Sequence, residues 1–107
     1  MALTRDFRET VAARVQSDPI FAQALLNEAI QFFVHGEPDA SKRILRDLVN
    51  ATVGFERLSE ELDKPAKSLH RMLSPSGNPT MSNISAVFAA LKHALKDPVH
   101  VPALAIR

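Results

Sequence analysis

The sequence predicts an all-α protein, a compact bundle of five or six helices in a chain of 107 residues. Apolar residues recur at intervals of three and four along the long segments, which is the period of an amphipathic helix. Prolines and glycines fall between these segments, where helices begin and end. No alternating apolar and polar run of useful length precedes residue 98, so no strand is predicted there.

The composition narrows the class of protein. With 46% apolar and 23% charged residues the chain is typical of a soluble globular domain, which excludes a wholly disordered chain. The absence of cysteine excludes disulfides and thiolate metal ligands, and it favours the cytoplasm. No apolar run resembles a secretion signal or reaches the ~20 residues that span a bilayer, so we expect no membrane partner. A small binding module fits this length better than an enzyme does.

Residues 1–36 predict an N-terminal helical extension packed on the core. Thr4 is expected to cap a first helix. Asp18 and Pro19 then have the pattern of an N-cap followed by proline at the first helical position, so a second helix is predicted from residue 19 to residue 35. Apolar side chains cover about half of its circumference, so we expect more than one neighbour against it. The extension either forms partner or subunit contacts or completes the core.

Residues 37–97 predict the second unit. Gly36 ends the second helix, and a third helix begins at Pro38 and ends before Gly54. Three cations of the third helix are expected to point outward: Lys42, Arg43 and Arg46. After a loop at residues 74–79, Thr80 caps a last amphipathic helix. The C-terminal tail, residues 98–107, is apolar, with a short strand-like alternation.

Two short helices in the middle of the second unit carry the functional signal. They are predicted at residues 55–62 and 65–73, separated by Asp63 and Lys64. Apolar residues are expected to anchor one face: Phe55, Leu58, Leu62, Leu69 and Met72. The opposite face of the second short helix is one exposed stripe: Ala66, Lys67, His70 and Arg71. This arrangement is typical of a helix-turn-helix, in which the first helix supports a second helix in the DNA major groove.

The residues resemble a known family. The segment ERLSEELDKPAKSLHRM (residues 56–72), followed by GNPT and an amphipathic helix to Leu95, is similar to the Cro/phage-repressor (Xre) type of helix-turn-helix domain. The phrases NATVGFERLSEEL and RMLSPSGNP resemble addiction-module antidotes more narrowly, the HigA-like antitoxins. The resemblance implies a homodimer that binds a palindromic double-stranded DNA operator and represses its own operon. It also implies a toxin partner of the RelE/HigB type.

The family's DNA-contacting positions can be carried over to this chain. Base-reading positions fall on Ala66 and Lys67 and, one turn later, on Arg71 with His70 beside it. Backbone-contacting positions fall on Ser68, Ser76 and Asn78. Lys67 and Arg71 are the first choices for base reading because cationic side chains bond guanine O6 and N7. Lys64, in the turn, is expected to meet phosphate.

The chain departs from the family at three positions. Asp63 replaces a glycine of the turn, so it must accept a left-handed conformation, which Asp tolerates better than most residues. Leu73 replaces a glutamate and Phe55 replaces a glutamine that touches phosphate. The last two changes remove part of the family's phosphate contacts and leave the apolar anchors intact.

The net charge of +1 argues against a uniformly basic nucleic-acid binder. Its distribution changes that conclusion, because residues 1–63 carry −4 and residues 64–107 carry +5. Such asymmetry points to a nucleic-acid-facing end.

The sequence also bears on two other classes of function. The wide apolar arc of residues 20–33 favours a helical protein-interaction module without specific DNA binding. No nucleophile elbow, phosphate loop or paired carboxylate has a suitable context, so we expect neither catalysis nor a cofactor. His93 and His100 lack a second ligand at metal spacing, so we expect no metal site.

Overall fold

The computed structural model describes residues 5–96. These residues form six α-helices: α1 (Arg5–Ser17), α2 (Pro19–Val34), α3 (Pro38–Ala51), α4 (Gly54–Leu62), α5 (Ala66–Met72) and α6 (Met81–Ala94). The all-α prediction is confirmed, and no strand occurs in this range. No helix within it is both long and apolar enough to cross a membrane. The predicted Thr4 cap and the C-terminal tail lie outside the described residues.

The predicted boundaries between helices are largely confirmed. Asp18 caps α2, since its Oδ1 accepts from the backbone N–H groups of Ile20 and Phe21 at 3.1 and 3.2 Å. Thr80 caps α6, since its Oγ1 accepts from the Asn83 N–H at 3.1 Å. Gly36 leaves the end of α2 at a φ of +81°, a conformation that favours glycine.

All six helices contribute to one hydrophobic core. The buried side chains include Val15 of α1, Ala22, Leu26 and Ala29 of α2, Leu45, Leu48 and Val49 of α3, Leu58 of α4, Leu69 of α5, and Val87 and Leu91 of α6. The helix α3 lies at its centre and packs against α1, α2, α4 and α6. The N-terminal extension therefore buries apolar residues in the same core as the rest of the chain.

Small side chains allow α2 and α3 to pack closely against each other. Ala22 and Ala29 of α2 are fully buried, and the buried Ser41 hydroxyl of α3 donates to the Ala29 carbonyl at 2.8 Å. Alanine allows two helix backbones to approach, and the hydrogen bond satisfies a hydroxyl that would otherwise be unpaired in the core.

The prediction that all three cations of α3 point outward is wrong. Arg43 is exposed, but Lys42 is only 6% exposed and Arg46 is half-buried. Both side chains bring their charged group to backbone carbonyls of the loop after α5. Lys42 also stands three residues before Leu45 and seven before Val49, which is the spacing of the core face of α3.

Charge at Asp18 adds to its role as a cap. The backbone N–H of Phe21 and the Arg14 side chain, which donates to the carboxylate at 3.2 Å, hold the Asp18 pKa below its ordinary value of 3.8. The stabilisation is fully present above pH 3.8 and is lost as pH falls through the lowered pKa. Asp18→Asn keeps a capping oxygen and removes the charge.

We expect Asp18→Asn to be less stable than the parent at pH 7, with the difference shrinking as pH falls from 4 to 2. Urea unfolding of both proteins across this range measures it. Asp47→Asn, at an exposed position within α3, is the control. A difference that stays constant with pH would contradict the assignment.

Candidate nucleic-acid interface

A tight turn joins α4 to α5. Asp63 ends α4 in the left-handed region, at φ 55° and ψ 46°, the conformation that the helix-turn-helix resemblance implies for this position. The Lys64 N–H then donates to the Ser59 carbonyl at 3.2 Å, and the Ser59 hydroxyl donates to the Lys64 carbonyl at 2.5 Å. Extended Pro65 starts α5 by accepting from the Ser68 and Leu69 N–H groups. These bonds fix the direction of α5 relative to α4.

The predicted anchors of this α4–α5 unit are in the core. Phe55, Leu58, Leu69 and Met72 are buried, and Leu62 is half-buried against them. His70 adds a contact that periodicity does not indicate, because its ring stacks on Phe55 with centroids 3.8 Å apart and planes 21° apart. Phe55 of α4 therefore supports α5 through this ring contact.

The exposed face of α5 carries two cations one helical turn apart. Lys67 and Arg71 are exposed, and neither side chain makes an ion pair or hydrogen bond within residues 5–96. Ser68 is exposed next to them. Ala66 is half-buried against the core, so only part of its methyl group faces outward. His70 is exposed with one ring face against Phe55.

The loop after α5 brings Ser76 and Asn78 to the surface beside α5, and both are exposed. The loop turns back on the end of α5, since the Ser74 N–H donates to the Arg71 carbonyl at 3.1 Å and the Gly77 N–H to the Ser74 carbonyl at 3.0 Å. A Cβ at Gly77 would lie 2.6 Å from the Met72 carbonyl oxygen and closer still to that of Arg71. Only glycine permits this approach.

Lys42, which is buried, and Arg46, which is half-buried, bind the same loop from α3. The Lys42 amine donates to the Gly77 carbonyl at 2.6 Å and to the Pro75 carbonyl at 3.4 Å. It lies 3.4 Å from the Asp39 carboxylate. The Arg46 guanidinium donates to the Leu73 carbonyl at 2.6 Å. Sequence reasoning missed this role of Lys42, although its core-face spacing in α3 was the available signal.

The electrostatics of this surface are divided. Residues 64–96 contain five Lys and Arg and no Asp or Glu, so α5, its loop and α6 are purely cationic. The exposed residues of α4 include one cation, Arg57, but are mostly acids: Glu56, Glu60 and Glu61, followed by Asp63. Lys64 is half-buried at the border between the two. Within the described part of the chain, no three His, Asp or Glu side chains come together as metal ligands would.

Comparison with family models, with curated proteins and with solved structures finds no match for this chain. The resemblance to helix-turn-helix regulators therefore stays a hypothesis supported by the residues of the motif.

The left-handed turn residue provides a test of the α4–α5 geometry. A β-branched residue at a φ of 55° is strained, so we expect Asp63→Val to lower the free energy of unfolding by about 1–2 kcal/mol. Asp63→Gly removes the strain and raises stability by up to about 1 kcal/mol, partly offset by unfolded-state entropy. Glu60→Val, at an exposed helical position, costs no more than about 0.7 kcal/mol. Urea unfolding measures all three, and an Asp63→Val variant as stable as the parent would exclude this turn.

Substitution of Lys42 and of its neighbour Arg43 tests whether Lys42 holds the loop after α5. We expect Lys42→Met to cost about 1–3 kcal/mol, because two loop carbonyls lose a charged donor while the loss of a buried charge offsets part of the effect. Arg43→Met, one residue away and exposed, changes stability by less than about 0.5 kcal/mol. Hydrogen exchange of the Gly77 amide should accelerate in the Lys42 variant alone. Equal effects of the two substitutions would rule out a specific anchor.

Proposed function

We propose that this protein is a sequence-specific DNA-binding transcriptional regulator that inserts α5 into the major groove. The observation that carries the proposal is the pair of exposed, unpaired cations, Lys67 and Arg71, on a short helix held rigidly by its buried face and by α4. Base reading needs such side chains at defined positions, because a bond to a base edge is directional.

The spacing of Lys67 and Arg71 along α5 is close to two base-pair steps of DNA. Four residues along an α-helix advance about 6 Å, and DNA advances about 3.4 Å per base pair. Arg71 and Lys67 would thus reach base pairs about two steps apart. Arg71 would bond guanine O6 and N7 with both ends of its guanidinium, whereas Lys67 would act as a single point charge. The Ala66 methyl group would offer apolar contact to thymine.

Polar residues around α5 would bind the DNA backbone. Ser68, Ser76 and Asn78 are short exposed side chains that can donate to phosphate oxygens, and Lys64 adds a charge at the turn. Lys42 and Gly77 support this function indirectly, since they fix the loop that carries Ser76 and Asn78 against α5.

The charge distribution supports binding as a dimer. Acids on α4 would oppose phosphate and lower the affinity of a single copy. Two copies on a palindromic operator would place their α5 helices about 34 Å apart, one DNA turn. Occupation of such an operator in its own promoter would repress transcription.

The antitoxin role rests on the resemblance alone. In this role the repressed operon would encode a RelE/HigB-type toxin, and this chain would bind the toxin in the cytoplasm. A helical protein-interaction module is the second candidate, and one observation favours it: α2 leaves Ile20, Ile30, Phe33 and Val34 exposed.

Substitution of the two exposed cations tests DNA recognition. We expect Lys67→Ala and Arg71→Ala each to weaken specific binding by about 1–3 kcal/mol per half-site. Arg43→Ala removes the same charge from the exposed side of α3 and should leave specific binding unchanged. Fluorescence anisotropy with duplexes that tile the region upstream of its own gene, against scrambled duplexes, at two salt concentrations, measures these affinities.

Unchanged specific binding in both variants would exclude Lys67 and Arg71 as base contacts. If the protein bound none of the upstream duplexes but still bound a protein partner, the result would exclude a DNA-binding regulator and favour a protein-interaction module.

A further inference from the structure

A titratable side chain without a polar partner lies on the exposed face of α5. His70 is exposed, and its ring makes no hydrogen bond or ion pair within residues 5–96. One face of the ring stacks on Phe55 of α4, with centroids 3.8 Å apart and planes 21° apart. Stacking occupies a face of the imidazole and not its edge, so the two ring nitrogens remain accessible at the surface.

The stack also determines where these nitrogens lie. Phe55 is buried and therefore holds the His70 ring on the side of α5 that is next to α4. In a helix-turn-helix the second helix enters the major groove and the first helix crosses the DNA backbone. With α5 in the groove, a ring held between the two helices lies beside the backbone phosphates rather than over the base edges.

The elements around His70 carry charges of both signs. On α5, Lys67 stands three residues before His70 and Arg71 directly follows it. The charged residues of α4 and the turn are four acids and two cations: Glu56, Glu60, Glu61, Asp63, Arg57 and Lys64. The loop at residues 73–80 has no charged residue, and two cations of α3, Lys42 and Arg46, are bound to its carbonyls. The titratable residues of α6, Lys92 and His93, lie in its last turn.

The cations of α5 and the acids of α4 act in opposite directions on a proton at His70. The arrival of a DNA phosphate is therefore the largest change in the charge around this ring when the protein binds DNA.

We infer, on the basis of the proposed function, that DNA binding takes up a proton from solvent at His70. The proton adds to the ring nitrogen that carries none, and the resulting cation donates to a backbone phosphate. Histidine is the side chain whose charge ordinarily changes between pH 5 and 8. The Phe55 ring favours the same state, because an aromatic face attracts a cation.

This proton makes DNA binding dependent on pH. Phosphate stabilises the charged form of His70 only in the complex, so the gain in affinity is present in mild acid and is lost as pH rises toward 8. Operator occupancy, and with it repression, is then stronger in a more acidic cell.

Fluorescence anisotropy of the full chain with upstream and scrambled duplexes, at about pH 5.5 and about pH 8, tests the inference. The parent should bind about tenfold more tightly at the lower pH per half-site, the effect of one unit of proton affinity. The slope of log affinity against log salt should also steepen by about 0.9 per half-site at the lower pH, because one more phosphate is neutralised.

Two variants separate the charge of His70 from its stacking. His70→Gln cannot take up the proton, so its affinity should be the same at both pH values. His70→Arg is charged at both and can stack on Phe55, so it should bind at the higher pH as tightly as the parent does at the lower. The control is His93→Gln, at an exposed position of α6, which should keep the pH dependence of the parent.

A parent with equal affinity at both pH values, or a His70→Gln variant that keeps the pH dependence, would overturn the inference. The proposed function would stand in either case if an upstream duplex were bound more tightly than the scrambled ones. A protein that bound no duplex at either pH would contradict both.

Discussion

The close packing around α3 is the constraint on which the other elements depend. The helix α3 packs against α1, α2, α4 and α6, so the positions of these four helices all depend on one central helix. Two polar residues of α3, Lys42 and Arg46, also position the loop after α5, because each donates a hydrogen bond to a backbone carbonyl there. One helix therefore positions both the support of α5 and the polar residues beside it, and a shift of α3 would displace them together.

A buried lysine is a costly means of holding a loop, and its partners explain why it is tolerated here. Removing an ammonium group from water is unfavourable unless its protons find acceptors. Lys42 has two loop carbonyls and the exposed Asp39 carboxylate within reach. A methionine of similar length would fill the space without directional bonds. The charged group thus contributes a defined position for Gly77, whose contact with the end of α5 permits little variation.

The sequence predicts those structural features that depend on residues close together in the chain. Asp18 with Pro19, Gly36 and Thr80 were recognisable as helix boundaries because caps and left-handed conformations depend on adjacent residues. Asp63 was predicted in the left-handed region because the family that the motif resembles has a glycine at this position of the turn. The Lys42 anchor and the stacking of His70 on Phe55 join residues 35 and 15 positions apart in the chain. Such contacts follow from tertiary packing, which periodicity alone does not encode.

The acids of α4 oppose phosphate, and in the proposed regulator this repulsion would favour specificity over affinity. Non-specific binding to DNA is almost entirely electrostatic, whereas specific binding adds directional contacts to bases. Acids beside α5 therefore lower non-specific binding in larger proportion than specific binding. Binding as a dimer would act in the same direction, because the second half-site is engaged at an effective concentration that random DNA does not provide. Low net charge and binding as a dimer would together make the operator, rather than the DNA backbone, the determinant of where the protein binds.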